Sequence, residues 1–115
     1  MSAKSHSRAD PGVPRPALLF AALGDKTRLA LIARLSSGHP SSIAQLTAGS
    51  RLTRQAITKH LRVLERAGIV RRKRAGRESL FAFDPEPMRG LQDYLRHVSE
   101  QWDHALARLK AFVEE

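Results

Sequence analysis

The sequence contains no cysteine. This absence limits both the reactions that its side chains can carry out and the cross-links that can stabilise the fold. Disulfides, thiol redox sensing and thiolate metal sites are excluded, because each requires a cysteine sulfur. No apolar run approaches the roughly 18 residues of a membrane-spanning helix, and the first residues lack the apolar segment of a secretory signal peptide. The 115 residues therefore favour a cytoplasmic protein with one modest core.

Acidic residues are scarce in the middle of the chain, where Glu65 is the only one between residues 51 and 77. The basic residues of that stretch are Arg51, Arg54, Lys59, Arg62, Arg66, Arg71, Arg72, Lys73, Arg74 and Arg77. From Asp84 onward the acids outnumber the bases, so the net charge of +9 is concentrated in one segment. This distribution favours a polyanionic partner. A membrane surface suits it less well than a nucleic acid, because the basic segment has a narrow apolar stripe and no tryptophan.

Catalytic signatures are also missing. Four residues with catalytic side chains are close in sequence: Asp25, His39, Ser41 and Ser42. They do not form a nucleophile-elbow pattern, and the chain has neither a phosphate-binding loop nor a dinucleotide fingerprint. The sequence therefore predicts that the protein is not an enzyme.

The N-terminal part begins with a polar segment, residues 1–16, which contains Pro11, Pro14 and Pro16 and is predicted to be a disordered leader. A short helix is predicted over residues 17–23. This helix is apolar nearly all round, so we expect it to be buried, either in its own domain or between subunits.

Two capped helices are predicted next. Asp25 is a suitable N-cap for a helix over residues 26–35, whose expected inward side chains are Leu29, Ile32 and Leu35. Residues 36–40 read as a loop. Ser42 then caps a short helix over residues 43–47, with Ile43 and Leu46 expected inward.

The stretch from 52 to 70 has the strongest helical pattern. Thr53 is suited to its N-cap and Gly68 to the left-handed position after its end. The apolar stripe consists of Ile57, Leu61 and Leu64, whereas the opposite face carries Arg54, Gln55, Thr58, Lys59 and Arg62. An arginine pairs well with guanine and a glutamine amide with adenine, so this face is suited to reading base edges. A solvated basic surface helix is the alternative.

A β-hairpin is predicted immediately after this helix. Two short segments flank residues 75–78, and Gly76 permits a tight turn there. The first strand is crowded with basic residues, and the second contains Leu80, Phe81 and Phe83. Two helices joined by a short turn and followed by a basic hairpin are the layout of a winged helix-turn-helix. The fold class predicted is therefore mainly α with a small β-hairpin.

The last part of the chain predicts one long helix after Pro85 and Pro87. Apolar residues recur every three or four positions: Met88, Leu91, Leu95, Val98, Trp102, Ala105, Leu109 and Phe112. Such a stripe extends for roughly 38 Å, more than a small domain can cover. We expect a second copy of the chain to cover it; the alternative is that the helix folds back on its own domain.

Two segments resemble the ArsR family of bacterial repressors. The first is Leu23-Gly24-Asp25-Lys26-Thr27-Arg28-Leu29 followed by Ile32, which is similar to the family's opening motif. The second is Leu52-Thr53-Arg54-Gln55-Ala56-Ile57-Thr58-Lys59-His60-Leu61, with Leu64 and Ala67-Gly68-Ile69-Val70, which resembles the family's recognition helix and its exit. The resemblance covers nearly all of the chain from Leu18 onward.

The resemblance implies a homodimeric repressor that binds an imperfect palindrome in promoter DNA. Its DNA-binding residues would be Thr53, Arg54, Gln55, Thr58, Lys59, His60 and Arg62, with Arg77 at the tip of the hairpin. The subunits would pair through the first and last helices, at Leu19, Phe20, Leu91, Leu95, Val98, Trp102 and Leu109. Residues 17–86 would then form the DNA-binding domain, and residues 87–115 the dimerisation helix.

The chain departs from the metal-sensing members of that family. It has no cysteine motif. A second type of metal sensor in the family uses Asp-x-His and His-x-x-Glu on the last helix, whereas the pairs on this helix, Asp93/His97 and Glu100/His104, are each four residues apart. We interpret them as exposed polar pairs and expect neither a metal nor a cofactor. The C-terminal run with Trp102, Leu106, Leu109 and Phe112 resembles a metal-free, autorepressor-like branch of the family.

Two alternatives stay open. Winged helices sometimes bind proteins with the same surface, and the last helix has the pattern to pair with a different chain. A repressor that senses a ligand or a metal through the last helix is the other alternative, in which the effector changes the angle between the two basic helices. The sequence identifies neither an operator nor an inducer.

Overall fold

The computed structural model describes residues 15–115. Its helices are α1 (Arg15–Leu23), α2 (Lys26–Ser37), α3 (Ile43–Ala48), α4 (Arg54–Arg66) and α5 (Glu86–Glu114), and its strands are β1 (Ser41–Ser42), β2 (Val70–Ala75) and β3 (Glu78–Phe83). The first fourteen residues of the predicted leader lie outside the described residues. The other two are not irregular, because α1 begins at Arg15, two positions before the predicted start.

The helix-turn-helix consists of α3 and α4, which pack against each other. A capping box starts α3: the Ser42 side chain accepts from the amide of Gln45, and the Gln45 side chain accepts from the amide of Ser42. The predicted cap of α4 is also present, since Thr53 Oγ1 accepts from the amide of Ala56 at 3.1 Å. Side-chain caps thus fix both starting points.

One face and one end of α4 anchor it to the core. Ile57, Leu61 and Leu64 are buried, as their spacing predicts. After Arg66 the chain turns sharply: the amide of Ile69 donates to the carbonyl of Leu64, and Gly68 has φ of 80°. This is the left-handed glycine stop that the sequence predicts, and it directs the chain into β2.

The hairpin of β2 and β3 is the predicted wing. The strands pair from Val70 with Phe83 to Ala75 with Glu78, which leaves a two-residue turn. Gly76, its first central residue, has φ of 65°, as a type II′ turn requires. The pairing brings Phe81 into the core at the base of the wing.

A third strand was not predicted. Ser41 and Ser42 pair with Phe81 and Leu80, so that the sheet order is β1-β3-β2. A two-residue strand has no alternation to detect, and its partner lies far along the chain. The pairing fixes the start of the helix-turn-helix to the base of the wing.

Two predicted burial patterns need correction. In α2, Leu31 and Leu35 are buried and Ile32 packs beside them, whereas Leu29 is 50% exposed. Leu29 lies about 140° round the helix from the midpoint of Leu31 and Leu35, so it faces away from the core, while Ile32 and Leu35 stay on the inner side as predicted. In α1 only Leu19 and Ala22 are buried, because the helix lies on the surface of its own domain and covers the core with one face.

The last helix, α5, leaves the domain instead of folding back on it. Its start is fixed, since the amide of Glu86 donates to Asp84 and Leu91 is buried. Beyond residue 98 every residue of α5 is exposed. Within residues 15–115, none of the helices has the length and apolar character needed to cross a membrane.

Candidate nucleic-acid interface

The polar face of α4 forms a continuous basic surface. Together with the N-cap Thr53, five predicted side chains within the helix border one open depression: Arg54, Gln55, Thr58, Lys59 and Arg62. Successive residues of an α-helix are about 100° apart, so these five fall within one sector of about 140°. The buried stripe of α4 lies outside this sector. The helix can therefore present all five side chains to a partner while its apolar side stays in the core.

Two of the predicted hydroxyls are already engaged in the chain itself. Thr53 caps the helix, and Thr58 Oγ1 donates to the carbonyl of Arg54 at 2.7 Å. By contrast, Arg54, Gln55, Lys59 and Arg62 are exposed and make no side-chain hydrogen bond or ion pair within residues 15–115. These four carry the donors that are free to meet phosphates and base edges.

His60, which the resemblance placed in the major groove, does not lie on this surface. It lies about 170° round α4 from the centre of the basic face. Its ring is packed against the start of α2, where Nδ1 is 3.3 Å from Nη1 of Arg28 and 3.7 Å from Oδ2 of Asp25. A guanidinium has no acceptor, so the imidazole nitrogen accepts here. His60 therefore connects α4 to the start of α2.

Arg28 is the centre of this connection. Its Nε donates to the carbonyl of Ala22 at 2.6 Å and its Nη2 to that of Ala21 at 3.2 Å, both in the last turn of α1. The backbone amide of Arg28 donates to Asp25, and this hydrogen bond is the main reason that the pKa of Asp25 is below its ordinary value. The positive charge of the Arg28 guanidinium also lowers it. The opening motif thus joins α1, α2 and α4.

Some basic residues of the wing form ion pairs within the domain, and others are exposed and form none among the described residues. Arg71 pairs with Asp84 at 2.8 Å, and Arg72 pairs with Glu65 of α4 at 2.9 Å while its guanidinium lies over the Phe81 ring. The hydrogen bonds from the Glu86 amide and from Arg71 hold the pKa of Asp84 below its ordinary value. Lys73, Arg74 and the turn residue Arg77 are exposed. The two groups differ in their position along β2, since the paired arginines lie near the base of the wing and the others lie toward its turn.

The predicted dimerisation residues fall into two groups. Leu19 and Leu91 are buried in the chain's own core, where α1 packs against the start of α5. This contradicts their prediction as partner-facing side chains, because α5 must first be anchored to its own domain. The exposed ones are Phe20, Leu95, Trp102 and Leu109, and Val98 is half-buried. Phe20 contacts Tyr94 edge to face, with 6.4 Å between ring centroids.

The polar pairs on α5 are exposed. Asp93 accepts from Arg96 at 2.9 Å, and within residues 15–115 it forms no hydrogen bond or ion pair with His97. In the part of the chain that the structure describes, no three histidine, aspartate or glutamate side chains are grouped as metal ligands.

The fold and the basic surface define a winged helix-turn-helix protein. A family model for a helix-turn-helix domain matches residues 23–73. The chain is 40% identical over 79 residues to the uncharacterised HTH-type transcriptional regulator YuzN of Bacillus subtilis (strain 168). This alignment covers 64% of this chain and 86% of YuzN. The chain is 32% identical over 99 residues to the HTH-type transcriptional regulator Rv2034 of Mycobacterium tuberculosis (strain H37Rv), with coverage of 86% and 89%.

A solved structure agrees with these relatives. An ArsR-like transcriptional regulator from Rhodococcus sp. RHA1 superposes with a TM-score of 0.75 at 31% identity, covering 85% of this chain and 92% of that chain. The chain belongs to the ArsR-like family of helix-turn-helix transcriptional regulators. It is thus a transcriptional regulator with a DNA-binding domain, and its relatives are regulators rather than enzymes.

Proposed function

We propose that the protein is a homodimeric, sequence-specific repressor that occludes a palindromic promoter site without requiring a metal. The observation that carries this proposal is the free donor set of α4. Arg54, Gln55, Lys59 and Arg62 are exposed together, while the apolar side of the same helix is buried. A rigid helix that presents arginine and glutamine side chains can read base edges in the major groove.

The wing supplies contacts of a different kind. Arg77 at the turn, with Lys73 and Arg74 behind it, is exposed and can reach a neighbouring phosphate or the minor groove. Such contacts fix the position of the protein on the duplex but carry little sequence information. We therefore assign affinity mainly to the wing and specificity to α4.

The exposed apolar residues of α5 support a homodimer. Trp102 is 67% exposed and Phe112 75%, and Leu106, Leu109 and Val113 continue the same surface. Contiguous apolar surface of this kind mostly marks an interaction site. A second copy presents the same surface, and two-fold symmetry would duplicate the DNA-binding helix. The two copies of α4 must then lie about 34 Å apart to enter successive major grooves.

Metal-independence is proposed because the acidic and histidine side chains of α5 are exposed, and among the described residues no three of them are grouped as metal ligands. Asp93 is bonded to Arg96, and His97 and His104 are about 10.5 Å apart along the helix axis. That distance is too long for one ion to bind both.

The test is fluorescence anisotropy with a labelled duplex from the region upstream of the protein's own gene. A scrambled duplex of the same length is the control, and each titration is repeated with added zinc. We expect tight binding to the upstream duplex alone, unchanged by zinc. Equal, salt-sensitive binding to both duplexes would overturn the sequence specificity, whereas release by zinc would overturn metal-independence.

Repression and assembly are tested separately. In an in vitro transcription reaction, a repressor should reduce transcript from the upstream promoter in proportion to duplex occupancy. Native mass spectrometry should show a dimer at micromolar concentration. A monomer that binds no DNA but captures a different chain through α5 would favour the protein-interaction alternative.

A further inference from the structure

A small cavity of about 280 Å³ lies between α1 and the C-terminal end of α4. Its apolar lining comes from Leu18, Ala21 and Ala22 of α1 and from Val63 and Ala67 at the end of α4, and its two polar residues are Arg15 and Arg66. An apolar cleft with a few polar groups at one side is the usual form of a small-molecule site, and this volume is just below the usual range of roughly 300–1,000 Å³, so it suits a small ligand.

The positive charge at this cavity is not neutralised within residues 15–115. The guanidinium of Arg15 lies beside Gly68, where Nη2 would be 3.4 Å from an added Cβ. Arg15 also borders a cleft that contains acidic side chains, but these pair with other arginines: Glu65 with Arg72, Asp84 with Arg71 and Glu86 with Arg89. Neither Arg15 nor Arg66 forms an ion pair among the described residues. The cavity therefore combines apolar walls with two unpaired cations.

The cavity and the dimerisation surface lie on different sides of α1. The α1 residues that line the cavity, Leu18, Ala21 and Ala22, are centred about 150° round the helix from Phe20. Phe20 contacts Tyr94 of α5, so a partner bound at that side leaves the cavity accessible. A ligand and a second subunit can therefore be bound at the same time.

We propose that this cavity binds a small amphipathic monocarboxylate. Its apolar body would contact Leu18, Val63 and Ala67, and its carboxylate would accept hydrogen bonds from the guanidinium groups of Arg15 and Arg66. Arginine is well suited to this role, because its planar donors match the two oxygens of a carboxylate. The charge complementarity selects an anion, and the apolar walls select one with a hydrocarbon body.

Binding at this position would reduce affinity for DNA. Arg66 belongs to the DNA-binding helix, so a bound carboxylate removes one cation from the positive surface of α4. Because coupling is reciprocal, DNA would weaken ligand binding by the same factor. This regulatory step rests on the proposed function, whereas the binding site itself does not.

The binding test is isothermal titration calorimetry of the full chain with octanoate. Acetate supplies the charge without the apolar body, and 1-octanol the apolar body without the charge. Two variants alter the cavity: Arg66→Gln removes a cation, and Ala21→Phe fills the apolar part. Arg108→Gln on α5 and Ala33→Phe on α2 make the same changes at exposed positions outside the cavity, and circular dichroism verifies that every variant is folded.

We expect saturable binding of one octanoate per chain, with acetate and octanol much weaker. Arg66→Gln should weaken octanoate binding by about tenfold, Ala21→Phe should abolish it, and both control variants should bind like the original chain. The proposal is overturned if octanoate does not bind at millimolar concentration, if octanol binds as well as octanoate, or if the cavity variants bind it unchanged.

The regulatory step has its own measurement. Octanoate is added to the complex with the upstream duplex, and anisotropy is recorded over a range of salt concentrations. We expect weaker DNA binding and a salt slope that is smaller by about one, since one cation is withdrawn. Octanoate binding without an effect on DNA would retain the site and reject the regulation. If DNA binding itself were absent, the proposed function would fail, but calorimetry would still show whether the cavity binds octanoate.

Discussion

One arginine side chain, Arg28, holds three helices together, and the residues around it behave as a structural unit. It bonds two carbonyls of α1 and the ring of His60 on α4, while Asp25 caps α2 beside it. The orientation of α4, the proposed DNA-binding helix, therefore depends on residues outside its basic face. Substitutions here should change stability and DNA affinity together.

The lowered pKa of Asp25 gives this unit a defined pH dependence. Because the folded-state pKa lies below the ordinary value of 3.8, the ionised carboxylate stabilises the fold above that value. This contribution is lost as the pH falls through the folded-state pKa. Asp25→Asn retains a capping side chain but removes the charge, so it should be less stable than the original chain at neutral pH.

Urea unfolding from pH 7 down to pH values below the folded-state pKa measures this effect. The difference between Asp25→Asn and the original chain should shrink as the pH falls, because protonation removes the same charge. Asp103→Asn, an exposed position on α5, is the matched control. A stability difference that is constant with pH would show that the carboxylate charge has no role.

Gln55 and Arg54 are expected to determine sequence preference. Replacing Gln55 by Ala should cost about 1–3 kcal/mol of discrimination at one position of each half-site, with little change in affinity for a scrambled duplex. Competition anisotropy against a set of single-base operator variants measures this directly. His60→Ala serves as a comparison, since it should weaken all duplexes without altering preference. Loss of preference with His60→Ala alone would reverse the two roles.

At the scale of elements, the wing is expected to act through its charge. Arg77→Ala should weaken binding to every duplex alike and reduce the salt slope by about one, because one phosphate contact is lost. Arg108→Ala, on the exposed part of α5, is the control. If Arg77→Ala changed neither affinity nor slope, the wing would not contact DNA.

The end of α4 depends on the backbone of a single residue. Gly68 has φ of 80°, and an L-residue in this left-handed region costs about 1–2 kcal/mol. Gly68→Ala should therefore destabilise the fold by that amount. Gly90 provides a control for which the opposite change in stability is expected. It lies inside α5, and an added Cβ would meet no atom within 4 Å.

Gly90→Ala should stabilise the protein by about 0.5–1 kcal/mol, as expected for glycine in a helix interior. Thermal unfolding of both variants at one protein concentration would reveal shifts of opposite sign. Shifts of the same sign would mean that the left-handed turn at Gly68 is not required.

Elements with side-chain caps and clear periodicity could be predicted from the sequence. Thr53, Ser42 and Asp25 mark three helix starts, and Gly68 marks an end, because each interaction is local. Strand β1 and the burial of Leu31 in place of Leu29 were not predicted, since both depend on distant parts of the chain. The same reason explains why the contacts of His60 were not predicted, since its partners at the start of α2 lie far from it in sequence. Local chemistry also predicts the basic face of α4 but not which donors are already engaged.

At the scale of the whole molecule, the exposed half of α5 is the feature on which the proposed dimer depends. Leu109 is 57% exposed, so a charge placed there should be tolerated by the monomer but not by a buried interface. Leu109→Asp should therefore give a folded monomer by light scattering, with weakened binding to the palindromic duplex. Glu114→Gln, near the end of the same helix, should leave the dimer intact. A dimer that survives Leu109→Asp would place the interface elsewhere.

The position of the single tryptophan has a spectroscopic consequence. Trp102 is the only tryptophan in the chain, and it lies on this exposed stripe. Its indole is in water when α5 is unpartnered and would enter an apolar environment when α5 is covered, so the emission maximum should move to shorter wavelength with increasing protein concentration. The protein therefore carries its own fluorescent probe of self-association, and dilution of the unlabelled chain is sufficient to measure the dissociation constant.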